Sequence, residues 1–316
     1  MEASTVLQSL ISGLTLGCIY AALGLGLYVV YGVTRVLNFA QGEFVMLGGM
    51  ITVSLCAWGV PLLPAIMLAV AVVSLSGAIL YRFIIHPARH ASGSALAFLT
   101  VGFAFAVEGL TLLAWGWEYR SLTNFLGSSS IHLWGATIFG QAPWVVGMTV
   151  LMVAGLYYFF GKTMVGRALR ACADEPLGAR TVGISPERMG MLAFVIAAAL
   201  GAVAGATITP LTMTAYNVGI PLTIKGLLAA FVGGMHRAEG VIVGGLLLGL
   251  TEALSAGLMP GGYHDAVALV ILLLHVLSFV VELLSLCETH FHLHHAILEV
   301  EPQGDQGVAL FTNSAE

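Results

Sequence analysis

Two carboxylates interrupt long apolar stretches of this 316-residue chain, Glu108 and Glu252. If these stretches cross a membrane, a charged carboxylate at the bilayer centre costs roughly 2.5–3.5 kcal/mol, so each side chain should face a protein interior or a cavity. There it can bind an ammonium group, relay a proton or form a hydrogen bond between helices. We predict a position near the outer membrane interface for Glu108. For Glu252, a functional contact and a purely structural hydrogen bond both remain open.

A second polar group lies in the segment 31–48, YGVTRVLNFAQGEFVMLG, which contains Asn38, Gln41 and Glu43. The stretch is too polar for a plain lipid-facing helix, and polar groups kept at membrane depth usually mark a cavity or a transport route. We therefore interpret it as a broken-helix or re-entrant element beside a translocation path to which Glu252 also contributes. The alternative is an ordinary solvated turn at the end of the first apolar run.

Possible metal ligands cluster near the C-terminus. They are Cys287, His290, His292, His294 and His295. Their spacing would suit Zn²⁺ or Ni²⁺ on a helix or strand. A metal site also needs neighbouring groups that hold the ligands in place, which a terminal tail seldom supplies. We therefore predict no metal site.

Motifs for catalysis are absent from the sequence. It contains no GxxxxGK[ST] phosphate loop, so this chain is not expected to bind ATP. It also lacks GxSxG, HExxH and CxxC elements, and its four cysteines lie far apart, which argues against a disulfide framework. The sequence predicts neither an enzyme nor a cofactor.

The composition places the chain in a lipid bilayer. Aliphatic, aromatic and cysteine residues make up 59% of the sequence and charged residues only 9%, whereas soluble domains average about 25% charged residues. The net charge of -5 is small and spread over loops and tail, so it does not support binding to nucleic acid. The chain is therefore predicted to be an integral membrane protein.

Apolar runs of about twenty residues predict an all-α, polytopic helical bundle with eight or nine transmembrane segments. The runs lie near residues 7–31, 43–59, 62–83, 94–115, 143–161, 189–213, 222–235, 240–258 and 264–285. The seventh is too short to cross a bilayer alone. We expect it to be a half-span or a tilted helix enclosed by its neighbours, because exposed backbone is not tolerated in lipid.

Basic residues concentrate in alternate loops of this pattern. They occur in 82–93, 162–188 and 236–239, whereas 58–62 and 258–263 contain none and 116–142 contains only Arg120. Cytoplasmic loops are enriched in Lys and Arg, so nine crossings would place the N-terminus outside and the C-terminus in the cytoplasm. The predicted location is the cytoplasmic (inner) membrane.

The longest polar interval, 161–190, contains five of the eleven Lys and Arg residues. Its pattern predicts a short helix capped by Asp174, with Pro176 in the first turn and Gly183 as a left-handed terminating residue. Pro186 then begins the next helix. A short ordered helix in a basic cytoplasmic loop needs a partner to dock against. We therefore predict that another protein binds there.

Glycines recur at a spacing that brings membrane helices close together. The small-xxx-small pairs are Gly13 with Gly17, Gly201 with Gly205, and Gly245 with Gly249. Lipid offers no hydrophobic drive for helix association, so close backbone approach and dispersion contacts matter more. A densely packed bundle is expected, in which most of the glycines serve packing alone.

Three segments, in order, resemble the LivH-type permeases of branched-chain amino acid ABC transporters: YGVTRVLNFAQGEFVMLGG, GRALRACADEPLGARTVGI and AVALVILLL. The resemblance runs from about Leu10 to about Leu274. It implies one of two permease subunits of an importer, with a LivM-like partner, two cytoplasmic ATPases and a periplasmic or extracellular substrate-binding protein. It also implies that the loop 171–186 inserts into the ATPase. The coupling residues it indicates are Arg170, Ala173, Asp174, Glu175, Pro176, Gly183, Ile184 and Pro186.

Three features depart from that family. Gln41 stands where the family commonly has His, and the turn 236–239 replaces a smaller Gly/Ser/Pro-rich connection. After Leu274 the sequence no longer resembles the family. We therefore divide the chain into a permease domain, 1–285, and an atypical tail, 286–316, whose composition predicts disorder.

The resemblance implies uptake of branched-chain amino acids by alternating access, with the helix around 174–182 transmitting closure of the ATPases. Related permeases for urea, short amides or other small acids are alternative functions. A secondary transporter that relays protons through Glu252 or Glu108 would be a different class. A structural membrane subunit is a third possibility.

Overall fold

The computed structural model describes residues 3–122, 130–133, 136–139, 141–235, 237–258 and 270. Apart from residue 270, the predicted ninth span near 264–285 lies outside the described residues, as does the tail 286–316 with its histidine-rich stretch.

The described chain is helical apart from one short hairpin, which confirms the predicted fold class. Its helices are α1 (Ala3–Thr34), α2 (Gln41–Ala57), α3 (Leu62–Ile79, followed by a π-helical turn Leu80–Ile85), α4 (Gly93–Trp115), α5 (Gln141–Lys162), α6 (Met164–Asp174), α7 (Pro176–Thr181), α8 (Pro186–Thr212), α9 (Gly219–Val232) and α10 (Ala238–Leu258). Two antiparallel strands, β1 (Ser130–Leu133) and β2 (Ala136–Phe139), lie between α4 and α5, where the sequence predicted only a loop.

Six of the described helices, α1, α3, α4, α5, α8 and α10, are long and apolar enough to cross a membrane. The apolar helices α2 and α9 are shorter. Together they account for eight of the predicted spans, and the 14 residues of α9 agree with the prediction that the seventh is short. Large apolar side chains such as Met67, Phe98 and Leu113 are exposed on α3 and α4. Such faces suit lipid, and the chain is a multi-pass membrane protein.

Helix α1 packs against α10 through glycines on both helices. A Cβ atom placed on Gly17 would lie 2.7 Å from the Cα atom of Leu246, and one on Gly13 would lie 2.9 Å from the Cα atom of Leu250. A Cβ atom on Gly249 would fall on the backbone of Gly17. Two of the predicted glycine pairs therefore meet each other, and the helices touch backbone to backbone.

The third glycine pair serves the crossing of α2 and α8. A Cβ atom on Gly205 would overlap the carbonyl of Val45, and one on Gly201 would lie 2.8 Å from the Cβ atom of Phe44. The Phe44 side chain is fully buried in an apolar cluster that α3 and α4 complete. Helix α2 is thus held deep in the bundle although it is one of the shorter apolar helices.

The basic segments meet at one end of the bundle, here called the basic end. Arg35, Arg170 and Arg237 line one cavity of about 500 Å³ between α1, α5, α6 and α10. Tyr81, in the π-helical turn, lies against Gly190 near the start of α8, and its ring centroid is 6.1 Å from that of His86. The loops predicted to share one side of the membrane therefore share one end of the fold.

Candidate coupling segment and polar centre

Helix α6 anchors the polar segment to the bundle. Its first turn is capped by Thr163, whose hydroxyl accepts a hydrogen bond of 3.0 Å from the Gly166 amide. Leu169 and Cys172 are buried on its inner face, and Leu169 packs with Leu156 of α5. Burial raises the pKa of the Cys172 thiol, which suits a packing role rather than a reactive one. The amphipathic pattern of α6 thus fixes the start of the segment.

Helix α7 is capped at its start by Glu175, whose carboxylate accepts a hydrogen bond of 3.2 Å from the Leu177 amide. The prediction that Asp174 is the cap is wrong by one residue, because Asp174 is the last residue of α6. The reason is Pro176, which occupies the first helical position and leaves the residue before it as the cap.

The end of α7 has the predicted left-handed glycine. Gly183 has a φ of +83°. Its amide donates to the Arg180 carbonyl at 3.0 Å, and the Ile184 amide donates to the Ala179 carbonyl at 3.0 Å. This pair of bonds is a Schellman motif, which favours glycine at its left-handed position. Pro186 then opens α8, as predicted.

Two aliphatic side chains, one in α7 and one directly after it, are largely exposed. Leu177 and Val182 are 72% and 73% exposed, whereas Ala179 on the inner face is 3% exposed. An exposed ion pair of 2.7 Å joins Arg180 to Glu187 in the first turn of α8. The structure distributes the predicted coupling residues over three helices: Arg170, Ala173 and Asp174 lie in α6, Glu175, Pro176, Gly183 and Ile184 begin and end α7, and Pro186 begins α8. The exposed residues Leu177 and Val182 were not among them.

A hydrogen bond connects this segment to the break between α1 and α2. The guanidinium of Arg35 donates to the Ala173 carbonyl at 3.2 Å, and Arg35 itself has a left-handed φ of +55°. Asp174 and Arg170 line the 500 Å³ cavity beside it. Sequence reasoning did not assign this contact to Arg35, because no local spacing indicates a partner 138 positions away.

Side-chain hydrogen bonds of Asn38 and Gln41 stabilise the break between α1 and α2. The amide oxygen of Asn38 accepts from the Ala40 amide at 3.1 Å, and its nitrogen donates to the Gln41 oxygen at 3.5 Å. The Gln41 nitrogen donates at 3.0 Å to the Ala197 carbonyl of α8. Both side chains are fully buried. The interruption between α1 and α2 agrees with the predicted broken-helix element and is held to α8 by these bonds.

Glu43 is also fully buried, against the first residue of α9. Its carboxyl group occupies the space that a side chain at Gly219 would need. Neither of its oxygens has a hydrogen-bond partner among the described residues. Glu43 thus lies at the contact of α2 and α9, close to Asn38 and Gln41 in sequence but facing a different helix.

Glu252 belongs to a polar cluster that joins three helices. Its Oε1 atom lies 2.7 Å from Nζ of Lys225 in α9, and its Oε2 atom accepts a hydrogen bond of 2.8 Å from the Tyr20 hydroxyl in α1. The ammonium group of Lys225 is 5.5 Å from the centroid of the Tyr20 ring. Of the two contacts left open for Glu252, the structure shows the one between helices. The cluster of Tyr20, Lys225 and Glu252 is called the polar centre below.

The polar centre lies on the wall of a cavity of about 410 Å³. Asn38, Gln41 and Glu43 do not line this cavity, so the structure separates Glu252 from the other three residues predicted for the translocation path. Glu108 is half-buried in α4, away from the same cavity.

Lys225 was not predicted from the sequence as the partner of Glu252. Lys225 lies 27 positions before Glu252 and on another helix. A usable indication was present, since each is the single charged residue within its apolar segment, and opposite charges isolated in lipid are expected to pair.

Residues 9–276 match the family model described as "Branched-chain amino acid transport system / permease component". The high-affinity branched-chain amino acid transport system permease protein BraD of Pseudomonas aeruginosa is 32% identical over 86% of this chain and 93% of its own length. The corresponding protein LivH of Escherichia coli K12 is 31% identical over 86% of this chain and 92% of its own.

A more distant relative is the probable permease protein LivH of Methanocaldococcus jannaschii, with 29% identity over 73% of this chain and 75% of its own. The family match includes the break between α1 and α2, the capped helix α7 and the polar centre. The chain therefore belongs to the family of permease components of branched-chain amino acid transport systems.

Proposed function

We propose that this permease component imports branched-chain amino acids by alternating access, with ATP hydrolysed on partner subunits. The capped helix α7 is the observation that carries the proposal. Leu177 in this helix and Val182 directly after it are largely exposed in the described chain, and the segment is held in shape by caps at both ends. Exposed aliphatic side chains on an ordered segment of this kind suit insertion into a pocket of another protein.

Two contacts would transmit a displacement of α7 to the rest of the helical bundle. The ion pair between Arg180 and Glu187 joins α7 to α8. The hydrogen bond from Arg35 to the Ala173 carbonyl joins the end of α6 to the break between α1 and α2. Helix α8 in turn contacts α2 backbone to backbone at Gly48 and Ala202. A displacement of α7 would therefore tilt α8 and α2 together rather than bend one helix.

The proposed partners follow from the importer architecture. They are two cytoplasmic ATPases at the basic end, a second, LivM-like permease subunit beside this one, and a substrate-binding protein at the opposite end. The exposed apolar faces of α3 and α4 offer surface for lipid or for the second permease. We expect the binding protein to select among side chains, so the path through the permease can be wide.

A proton-coupled secondary transporter is less well supported. The contacts described for Glu252 are an ion pair of 2.7 Å with Lys225 and a hydrogen bond from Tyr20, and they account for this carboxylate without a transported proton. The proposed coupling segment would also have no role in such a transporter. Permeases for urea, short amides or other small acids share the importer mechanism, and only substrate measurements separate them from an amino acid permease.

The proposed orientation places the basic end in the cytoplasm, because Lys and Arg accumulate there. In a variant without native cysteines, Thr181→Cys and Glu118→Cys are expected to react from opposite sides of the membrane, since both residues are exposed and Glu118 follows the far end of α4. An impermeant maleimide applied to intact cells should label only Glu118→Cys, and lysed cells provide the control. Equal labelling of both in intact cells would contradict the orientation.

The function is tested by reconstituting this chain with two ATPases, a second permease and a binding protein from the same organism. We expect uptake of radiolabelled leucine, isoleucine and valine into proteoliposomes that needs ATP and the binding protein. A protonophore should leave uptake unchanged. Uptake that a proton gradient alone drives, or an intact complex that moves urea or short amides but no amino acid, would overturn the proposal.

A further inference from the structure

The polar centre is open to a cavity instead of being sealed between helices. The side chain of Glu252 is 7% exposed and that of Lys225 is 22% exposed, and both residues line the 410 Å³ cavity together with Tyr20. We propose that this cavity binds the zwitterionic backbone of a single amino acid, with Lys225 holding its carboxylate and Glu252 holding its ammonium group. The inference rests on the proposed function and adds a binding site within this chain.

The charges of the polar centre match a zwitterion. Lys225 and Glu252 contribute one positive and one negative charge, so the site is neutral overall. An amino acid also carries one charge of each sign, and it can lie antiparallel to the ion pair so that each charge meets its opposite. A ligand with a single charge would leave one group without a counter-charge in a site of low dielectric, which is costly. The pair therefore favours zwitterions over anions and cations.

The hydrogen-bonding capacity of the pair allows a second partner. A carboxylate offers about four acceptor positions, and in Glu252 the Tyr20 hydroxyl and the Lys225 ammonium take one on each oxygen. Tyr20 is itself buried, so it fixes the carboxylate from the side of α1. The glutamate can thus receive an ammonium group without losing the contacts that position it.

The remaining lining of the cavity includes both polar and apolar side chains. Hydroxyl and amide groups come from Thr209, Thr214 and Asn217, and aliphatic surface comes from Leu16, Ile208 and Leu222. A volume of about 410 Å³ falls within the range of roughly 300–1,000 Å³ that is usual for small-molecule sites. The aliphatic residues of the lining suit an aliphatic side chain, which is the part of the ligand that the ion pair does not recognise.

A purely structural role predicts a different outcome when the charges are removed. Replacing a buried ion pair by neutral groups of similar shape is often neutral for stability, because no charge is left unpaired. In the double variant Lys225→Met with Glu252→Gln, the glutamine keeps an acceptor for Tyr20 and the methionine keeps the aliphatic stem. If the pair only fastens α1, α9 and α10, this variant should bind substrate normally.

The experiment measures tritiated leucine binding to the purified complex of this chain with its second permease and ATPases, without the binding protein. We expect the double variant to bind leucine at least tenfold more weakly than the wild type, while the complex assembles in the same yield and with the same melting temperature. Ser255→Ala, a conservative change on the same helix α10 and away from the cavity, should leave leucine binding unchanged.

Competition with the wild-type complex tests the same inference without a mutation. Leucinamide lacks the carboxylate and 4-methylpentanoate lacks the ammonium group, and each should displace leucine at least tenfold less well than isoleucine does. Equal competition by all three, or equal leucine affinity in the double variant, would overturn the zwitterion site. If the wild-type complex transports no amino acid even with its binding protein, the proposed function fails instead.

Discussion

The substitution Gly249→Val is expected to prevent most of the permease from folding in the membrane. A Cβ atom at this position would fall on the backbone of Gly17 in α1, and a β-branched side chain adds two more atoms to the same contact. Backbone cannot rotate away as a side chain can, so α1 and α10 must separate along their crossing. The cost should reach the upper end of the roughly 1–3 kcal/mol that overpacking usually takes, or exceed it.

The measurement is the amount of monodisperse protein in mild detergent and its melting temperature. Gly32→Val is the matched control, because it introduces the same residue on α1 at a position where a Cβ atom has no neighbour within 4 Å. It should express and melt like the wild type. A Gly249→Val protein with an unchanged yield and melting temperature would show that the two helices do not approach as closely as the structure has them.

Much of the fold follows from patterns within single segments. Long apolar runs with polar ends dictate where helices form, and the glycine pairs mark which faces can approach another backbone. The capped helix α7 was predictable for the same reason. Gly183 and Pro186 each act through the backbone of their immediate neighbours, so their effects can be read without knowing the rest of the structure.

Contacts between distant residues were not predictable in the same way. The bond from Arg35 to Ala173 and the pairing of Lys225 with Glu252 join residues that are far apart in the chain, and neither leaves a periodic pattern in the sequence. The predicted cap of α7, Asp174, was wrong by only one residue. Two acidic residues in a row can both cap a helix, and only the position of Pro176 decides between them.

The polar residues of the break illustrate the same limit. The sequence grouped Asn38, Gln41 and Glu43 with Glu252 because all four are polar at membrane depth. In the structure Asn38 and Gln41 form a hydrogen bond with each other, and Gln41 also donates to a carbonyl of α8. Glu252 instead lines a separate cavity. Polarity in an apolar segment therefore indicates that a group is enclosed, and it does not distinguish a helix contact from a ligand contact.

Aspartate in place of Leu177 is expected to uncouple ATP hydrolysis from transport while leaving the permease folded. Leu177 is 72% exposed on α7, so a polar replacement loses no packing within the chain. If the side chain enters a groove of the ATPase, the variant must bury an unpaired charge there. Loss of a buried interface anchor typically costs 2 kcal/mol or more, which corresponds to more than about tenfold in affinity.

Two measurements on the reconstituted complex separate coupling from folding. Uptake driven by ATP and ATPase activity stimulated by the loaded binding protein should each fall at least tenfold in Leu177→Asp, with the melting temperature of the isolated permease unchanged. Leu177→Met keeps an apolar side chain of similar size and should retain both activities. Full uptake in Leu177→Asp would exclude this face of α7 from the ATPase contact. A fall in melting temperature would instead assign Leu177 a role in the stability of the permease.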